Sequence, residues 1–176
     1  MDRHFARHCE RSAAIQDRHG SPRSYAPRDD DFMKHILTLC VGNICRSPIA
    51  EALLKQQFPE KTVWSAGLGA LVGKPADQLS IEVAAAHGLD LSAHRAQQLV
   101  GWMCQSAELI LVMEQGHKTQ LEQQYPLVRG KVFRLGELGQ FDIADPYRQP
   151  KAAFEAAYAR ITRGVADWAP RIRQLG

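Results

Sequence analysis

One junction constrains this chain more than anything else in it. The apolar run Ile36-Leu37-Thr38-Leu39 opens onto Cys40-Val41-Gly42-Asn43-Ile44-Cys45-Arg46-Ser47-Pro48, and a helix-forming segment begins at once. A short continuous apolar run predicts a buried central strand. Ser47 and Pro48 suit a helix start, and Ile49, Ala50, Leu53, Leu54 and Phe58 recur at helical spacing until Pro59 ends the segment. The loop between strand and helix therefore lies at a helix N-terminus. Unpaired backbone N–H groups and the positive end of the helix dipole make that place an anion site.

The residues in the loop suit chemistry on phosphate. Cys40 shares the field of the N–H groups, which favours the thiolate, the form that attacks phosphorus. Arg46 has a planar fork of donors that can hold two phosphate oxygens and brace the charge spreading over them during transfer. The Ser47 hydroxyl is placed to hydrogen-bond the Cys40 sulfur. Gly42 allows close backbone approach, and Asn43 tolerates the left-handed backbone of a tight cradle.

The string CVGNICRSPIAEALL, with its Cys40-x5-Arg46-Ser47 core, resembles the low-molecular-weight protein tyrosine phosphatase family. The resemblance implies a phosphocysteine mechanism without metal or cofactor. Backbone groups of Val41, Gly42, Asn43, Ile44, Cys45 and Ser47 would cradle the phosphate. It also implies an acid, the aspartate of an Asp-Pro pair, which Asp145-Pro146-Tyr147 matches. One carboxyl group can protonate the leaving oxygen and later activate water. Asp142 is the local competitor, and Tyr147 is expected to line the cleft.

Two further stretches resemble the family. In AHGLDLSAHRAQQL, His94 matches a histidine that helps hold the cysteine loop, with a plain structural role as the alternative; His87 is a weaker candidate. GLGALVGK resembles the bacterial subgroup associated with capsule or exopolysaccharide export. There Leu71 stands where many members carry an aromatic, which leaves an apolar contact in place of ring stacking. The implied partner is a phosphotyrosyl protein, with a membrane tyrosine autokinase of polysaccharide export as the physiological one. The glycines of this stretch also resemble a dinucleotide fingerprint, but the chain lacks a second nucleotide-binding half.

Rival readings share the site. An arsenate reductase of the same fold would need a further cysteine pair, and only Cys104 lies downstream. A non-catalytic phosphotyrosine-binding module is the alternative outside enzymes. Cys45 is either a small packing residue or a partner that traps oxidised Cys40 as a disulfide.

The remaining elements complete an α/β pattern. Strands are expected at Lys61–Ser65, Leu109–Met113 and Lys131–Leu135. Helices are expected at Asp77–His87 (Leu79, Val83 and Ala86 inward, Gly88 as stop) and at Glu114–Tyr125. The last helix carries an apolar stripe of Phe154, Ala157, Tyr158, Ile161, Val165, Trp168 and Ile172, read as core with a coiled-coil seam as the alternative. This order predicts a doubly wound four-stranded parallel sheet with helices on both faces, and residues 136–150 as a loop.

At 176 residues, one domain can bury a core without disulfides. Four unpaired cysteines (Cys9, Cys40, Cys45, Cys104) fit a reducing compartment, provide no second pair for a zinc site, and point to the cytoplasm. The net charge of +3 does not call for nucleic acid, and no run is long enough to insert in a membrane. A monomer is expected. Residues 1–32 hold six arginines against six acidic residues and hardly any aliphatics, so they are expected to be a disordered extension or an upstream start, with an acid-binding arm as the alternative. The catalytic domain is then 33–176.

Overall fold

A computed structural model describes residues 33–175, and the expectations for residues 1–32 fall outside them. Four strands, β1 (His35–Cys40), β2 (Thr62–Gly67), β3 (Leu109–Val112) and β4 (Val132–Arg134), form one parallel sheet in the order β2-β1-β3-β4. The register pairs Cys40 with Gly67 across β1 and β2, and Leu39 with Val112 across β1 and β3.

Alternation along β1 divides the core. Ile36 and Cys40 face one apolar layer, and Leu37 and Leu39 the other. The first layer is closed by α1 (Ser47–Gln57), α2 (Gln78–Ala86) and α5 (Lys151–Gln174), through Ile49, Leu54, Val83, Phe154, Ile161 and Trp168 among others. The second is closed by α3 (Gly101–Ser106) and α4 (Gln115–Gln124), through Met103, Cys104 and Leu121. Helices thus cover both faces, as expected of a parallel sheet.

The stripe on α5 is buried from Phe154 to Ile172 within this chain, so the core reading holds and the coiled-coil alternative falls. Two expectations are corrected. On α2 Val83 is buried and Leu79 packs partly buried on the core, as expected, but Ser80 and Ala84 are the other inward residues and Ala86 is exposed. Ser80 can take a buried position because its hydroxyl donates to the Cys45 carbonyl at 3.3 Å. The short helix α3 had no counterpart in the sequence reading, and α4, expected to be a polar surface helix, buries His117 and Leu121.

The chain leaves β1 for β2 on one side and returns to β3 on the other. The carboxyl end of β1 is therefore the crevice where sheets of this kind bind ligands, and Cys40 is its last residue.

Candidate active site

The loop from Cys40 to Arg46 is held in shape by buried polar contacts. Asn43 is fully buried with φ 55°, the left-handed turn its short polar side chain tolerates. Its side-chain amide donates to Ser47 Oγ and to Ser65 Oγ, both at 2.9 Å, while its Oδ1 accepts from the Gln97 backbone at 2.8 Å. Its carbonyl lies 2.7 Å from His94 Nε2. A carbonyl only accepts, so His94 carries its proton on Nε2. His94 thus reaches the cysteine loop directly.

The same logic orients Ser47. Its oxygen already accepts from Asn43, so its own proton is free for Cys40 Sγ, 3.0 Å away. Such a bond favours the thiolate. The N–H groups of Gly42, Asn43, Ile44 and Cys45 donate to no acceptor among the described residues. The loop's carbonyls face outward instead: those of Cys40, Val41 and Gly42 accept from Leu68, Gly69 and Leu71 at 3.0 Å each, so the glycine-rich stretch lies along the cysteine loop.

Arg46 is 1% exposed. Its Nη1 donates to Glu114 Oε1 and, at 2.7 Å, to the Ile143 carbonyl, while Nη2 pairs with Asp145 Oδ2 at 3.0 Å. Nε is buried with no partner. On a guanidinium, Nε and Nη2 form one edge, the fork that grips two oxygens of a phosphate. Here that edge carries a displaceable carboxylate and an open donor, and the opposite nitrogen is tied down.

Cys40, Arg46 and Asp145 line one cavity of about 150 Å³ together with Val41, Gly42, Ile44, Cys45, Gly69, Leu71 and Tyr147. Val41, Leu71 and Tyr147 are exposed at its rim, giving an apolar mouth over a polar floor. Asp145 also accepts from the Tyr147 N–H at 3.2 Å, which ties its carboxylate to the turn after Pro146. Asp142 is engaged elsewhere, accepting from Gln115 N at 3.2 Å and Arg134 Nη1 at 3.1 Å. His87 stacks on Tyr158 and is absent from the cavity.

The two loop cysteines differ. Cys45 is pushed up to about 12, chiefly by burial, then by the charges of Asp77, Cys40 and Asp145, with the Ser80 hydroxyl opposing. A thiol held that high is not the nucleophile at neutral pH. Cys104 lies across the sheet, in the layer under α3 and α4.

Sequence reasoning did not foresee Glu114, the Ile143 carbonyl, Gln97 or Ser65. Glu114 carried a signal, being an acidic residue just past the carboxyl end of a buried apolar strand.

Residues 35–175 match the family described as low molecular weight phosphotyrosine protein phosphatase. The chain is 56% identical over 145 residues, 82% of its length and 100% of the relative's, to the probable low molecular weight protein-tyrosine-phosphatase EpsP of Ralstonia nicotianae. It is similar to the structure of Vibrio vulnificus Wzb in complex with benzylphosphonate, with TM-score 0.76, 48% identity, and 79% of this chain and 99% of that one covered. It is also similar to the YwlE arginine phosphatase of Geobacillus stearothermophilus, at TM-score 0.75 and 32% identity, with 80% and 94% covered. The bacterial EpsP and Wzb relatives are of the subgroup to which the stretch around Leu71 pointed. The cysteine loop, its buried arginine and the parallel sheet behind them thus stand in a sequence that matches one family from residue 35 to residue 175: the chain belongs to the low-molecular-weight protein tyrosine phosphatases.

Proposed function

We propose that this enzyme hydrolyses phosphotyrosine in proteins through a phosphocysteine intermediate. The observation that carries the reading is the convergence of Cys40, Arg46 and Asp145 on one cavity with apolar walls. Incoming phosphate takes the Nε and Nη2 edge of Arg46 and displaces Asp145 from it, and the freed carboxylate takes up a proton from solvent. The Cys40 thiolate attacks phosphorus, and Asp145 gives its proton to the departing tyrosyl oxygen. The loop N–H groups and Arg46 hold the charge that builds on the three remaining oxygens. Asp145, now ionised, then takes a proton from water as that water attacks phosphorus. The Cys40 sulfur leaves as thiolate, supported by the Ser47 hydroxyl.

The walls supply selectivity. Val41, Ile44, Leu71 and Tyr147 suit a phenyl ring, and against their apolar surface a phosphoarginine guanidinium would lose water that a phenyl ring does not need. A phosphoserine is too short to seat its phosphate and fill the mouth. Cys104, buried on the far side of the sheet, is not placed to relay oxidation from Cys40, which argues against an arsenate reductase.

The test is phosphate release from phosphotyrosyl, phosphoseryl and phosphoarginyl peptides in the presence of chelator. Release from the phosphotyrosyl peptide alone is expected. Cys40→Ser should abolish it, and Asp145→Ala should slow it by about 10²–10⁴-fold. Full activity in Cys40→Ser would end the mechanism; tight binding without release would leave a recognition module.

The physiological partner we infer is a membrane tyrosine autokinase of polysaccharide export, met from the cytoplasm by a monomer. Three free cysteines among the described residues fit a reducing compartment, and no described helix is long and apolar enough to cross a membrane. An enzyme that processes other phosphotyrosyl proteins but leaves an autokinase tail untouched would remove this partner.

A further inference from the structure

Behind the anchored nitrogen of Arg46 stands a histidine that the proposed reaction does not use. Glu114 is the N-cap of α4, and His117 follows in its first turn at the i, i+3 spacing that puts two side chains on one face. His117 is 7% exposed. Its Nε2 lies 3.7 Å from Glu114 Oε1, the same oxygen that accepts from Arg46 Nη1.

The other ring nitrogen decides the tautomer. Nδ1 is buried with no partner. A proton there would leave a buried donor unsatisfied, so the neutral ring carries its proton on Nε2, facing the carboxylate. The ring is neutral because burial holds its pKa below the ordinary histidine value. Arg46 pushes the same way, and the carboxylates of Glu114, Asp145 and Asp142 oppose it.

Glu114 needs such a neighbour, since its side chain is 36% exposed while the arginine it holds is buried. A carboxylate at that boundary can swing into water, and each excursion leaves Nη1 held by the Ile143 carbonyl alone, so the phosphate-binding edge is less firmly aimed at Cys40. We propose that His117 is a positioning residue for the phosphate-binding arginine, acting through Glu114. At 3.7 Å the Nε2–H is beyond hydrogen-bond length but points its dipole at Oε1, and this attraction favours the carboxylate on the far edge of Arg46, so the Nε and Nη2 edge stays aimed at the substrate's phosphate. The inference rests on the reading of Arg46 as the phosphate-binding group.

The test is a double-mutant cycle read by the inhibition constant of inorganic phosphate, with kcat measured separately. His117→Leu removes the donor and should weaken phosphate about three- to fivefold, the size of a weak electrostatic contact to a partly exposed carboxylate. His117→Gln restores a donor and should recover most of that loss. In a Glu114→Ala background, His117→Leu should change the phosphate constant by less than about twofold, because the path to Arg46 is already cut. His117→Met, also without a donor, gives the same reading if the leucine variant does not fold. Full additivity of the two losses, or an unchanged phosphate constant in the donorless variant, would overturn the role of His117. A parent enzyme that neither binds phosphate nor releases it from phosphotyrosine would instead overturn the functional reading.

Discussion

Two cysteines share one loop, and their surroundings divide the labour between them. Cys40 receives the Ser47 hydroxyl at 3.0 Å and opens on the cavity, whereas Cys45 is pushed up to about 12 by burial and by the negative groups Asp77, Cys40 and Asp145. Iodoacetate at neutral pH should therefore label Cys40 and leave Cys45 as thiol, and mass spectrometry of the digested protein reads the difference. Prior labelling of Cys45 would contradict the assignment. The same shift sets the pace of any protective disulfide. Oxidation of Cys40 to the sulfenic acid, followed by attack of Cys45, forms the S–S bond and releases water. Because the attacking form is the thiolate, closure should speed up by about tenfold per pH unit from pH 7 to pH 10. Mild peroxide followed by mapping at several pH values measures this; no Cys40–Cys45 bridge at any pH would leave Cys45 as packing alone. Asn43 shows the limit of reading one residue at a time. Its left-handed backbone was foreseeable from Asn beside Gly, but its contacts with Ser65 and Gln97 join the loop to two distant segments.

At the scale of elements, the active loop is aligned by the stretch that follows β2. Gly67 sits where this stretch crosses the cysteine loop, and a Cβ there would stand 2.5 Å from the Val41 carbonyl and 2.8 Å from the Ala70 backbone. Neither neighbour is a flexible tip, so Gly67→Ala must move the backbone that carries Val41. Gly69 has nothing within 4 Å of a built Cβ. Gly67→Ala should cost about 1–3 kcal/mol of stability and lower kcat/KM by at least about tenfold through misplacement of the loop. Gly69→Ala should do far less to stability, as denaturant unfolding will show; equal effects would mean the crossing does not set the loop. Such crossings lie beyond periodicity. The strands β1 and β3 were legible because burial on both faces leaves a continuous apolar run, and α5 because 24 residues repeat its stripe. The six residues of α3, GWMCQS, are too few to show a period and begin with glycine. The inward face of α2 was misread because a buried serine looks polar until its acceptor, the Cys45 carbonyl, is known.

For the whole molecule, the site depends on chain segments far apart in sequence, and this decided what could be read in advance. Cys40, Arg46 and Ser47 lie within one loop, so their chemistry was visible locally. Asp145 was found only through an Asp-Pro pair resembling the family's, and Glu114, the Ile143 carbonyl and Gln97 became partners only when the fold brought them in. We propose from the same folding argument that the domain's edge lies at Met33. Met33 is buried, its N–H donates to the Leu175 carbonyl at 2.9 Å, and its own carbonyl accepts from Lys61 Nζ at 2.8 Å. Next to it, the N–H groups of Lys34 and His35 donate to Glu108 at 2.7 and 2.6 Å, which ties the start of β1 to the residue before β3. A chain beginning at Met33 keeps every one of these contacts, because an N-terminal amine can still donate to Leu175. Its phosphotyrosine kcat/KM should lie within about twofold of the full chain, and its melting temperature within a few degrees, about the effect of 1 kcal/mol or less. A chain beginning at Leu37 loses Met33, the Glu108 contacts and the fully buried Ile36. Removal of that much core and edge should lower the melting temperature by about 5 °C or more. Loss of turnover in the Met33 chain, with its melting temperature unchanged, would instead give residues 1–32 a direct part in catalysis or substrate binding.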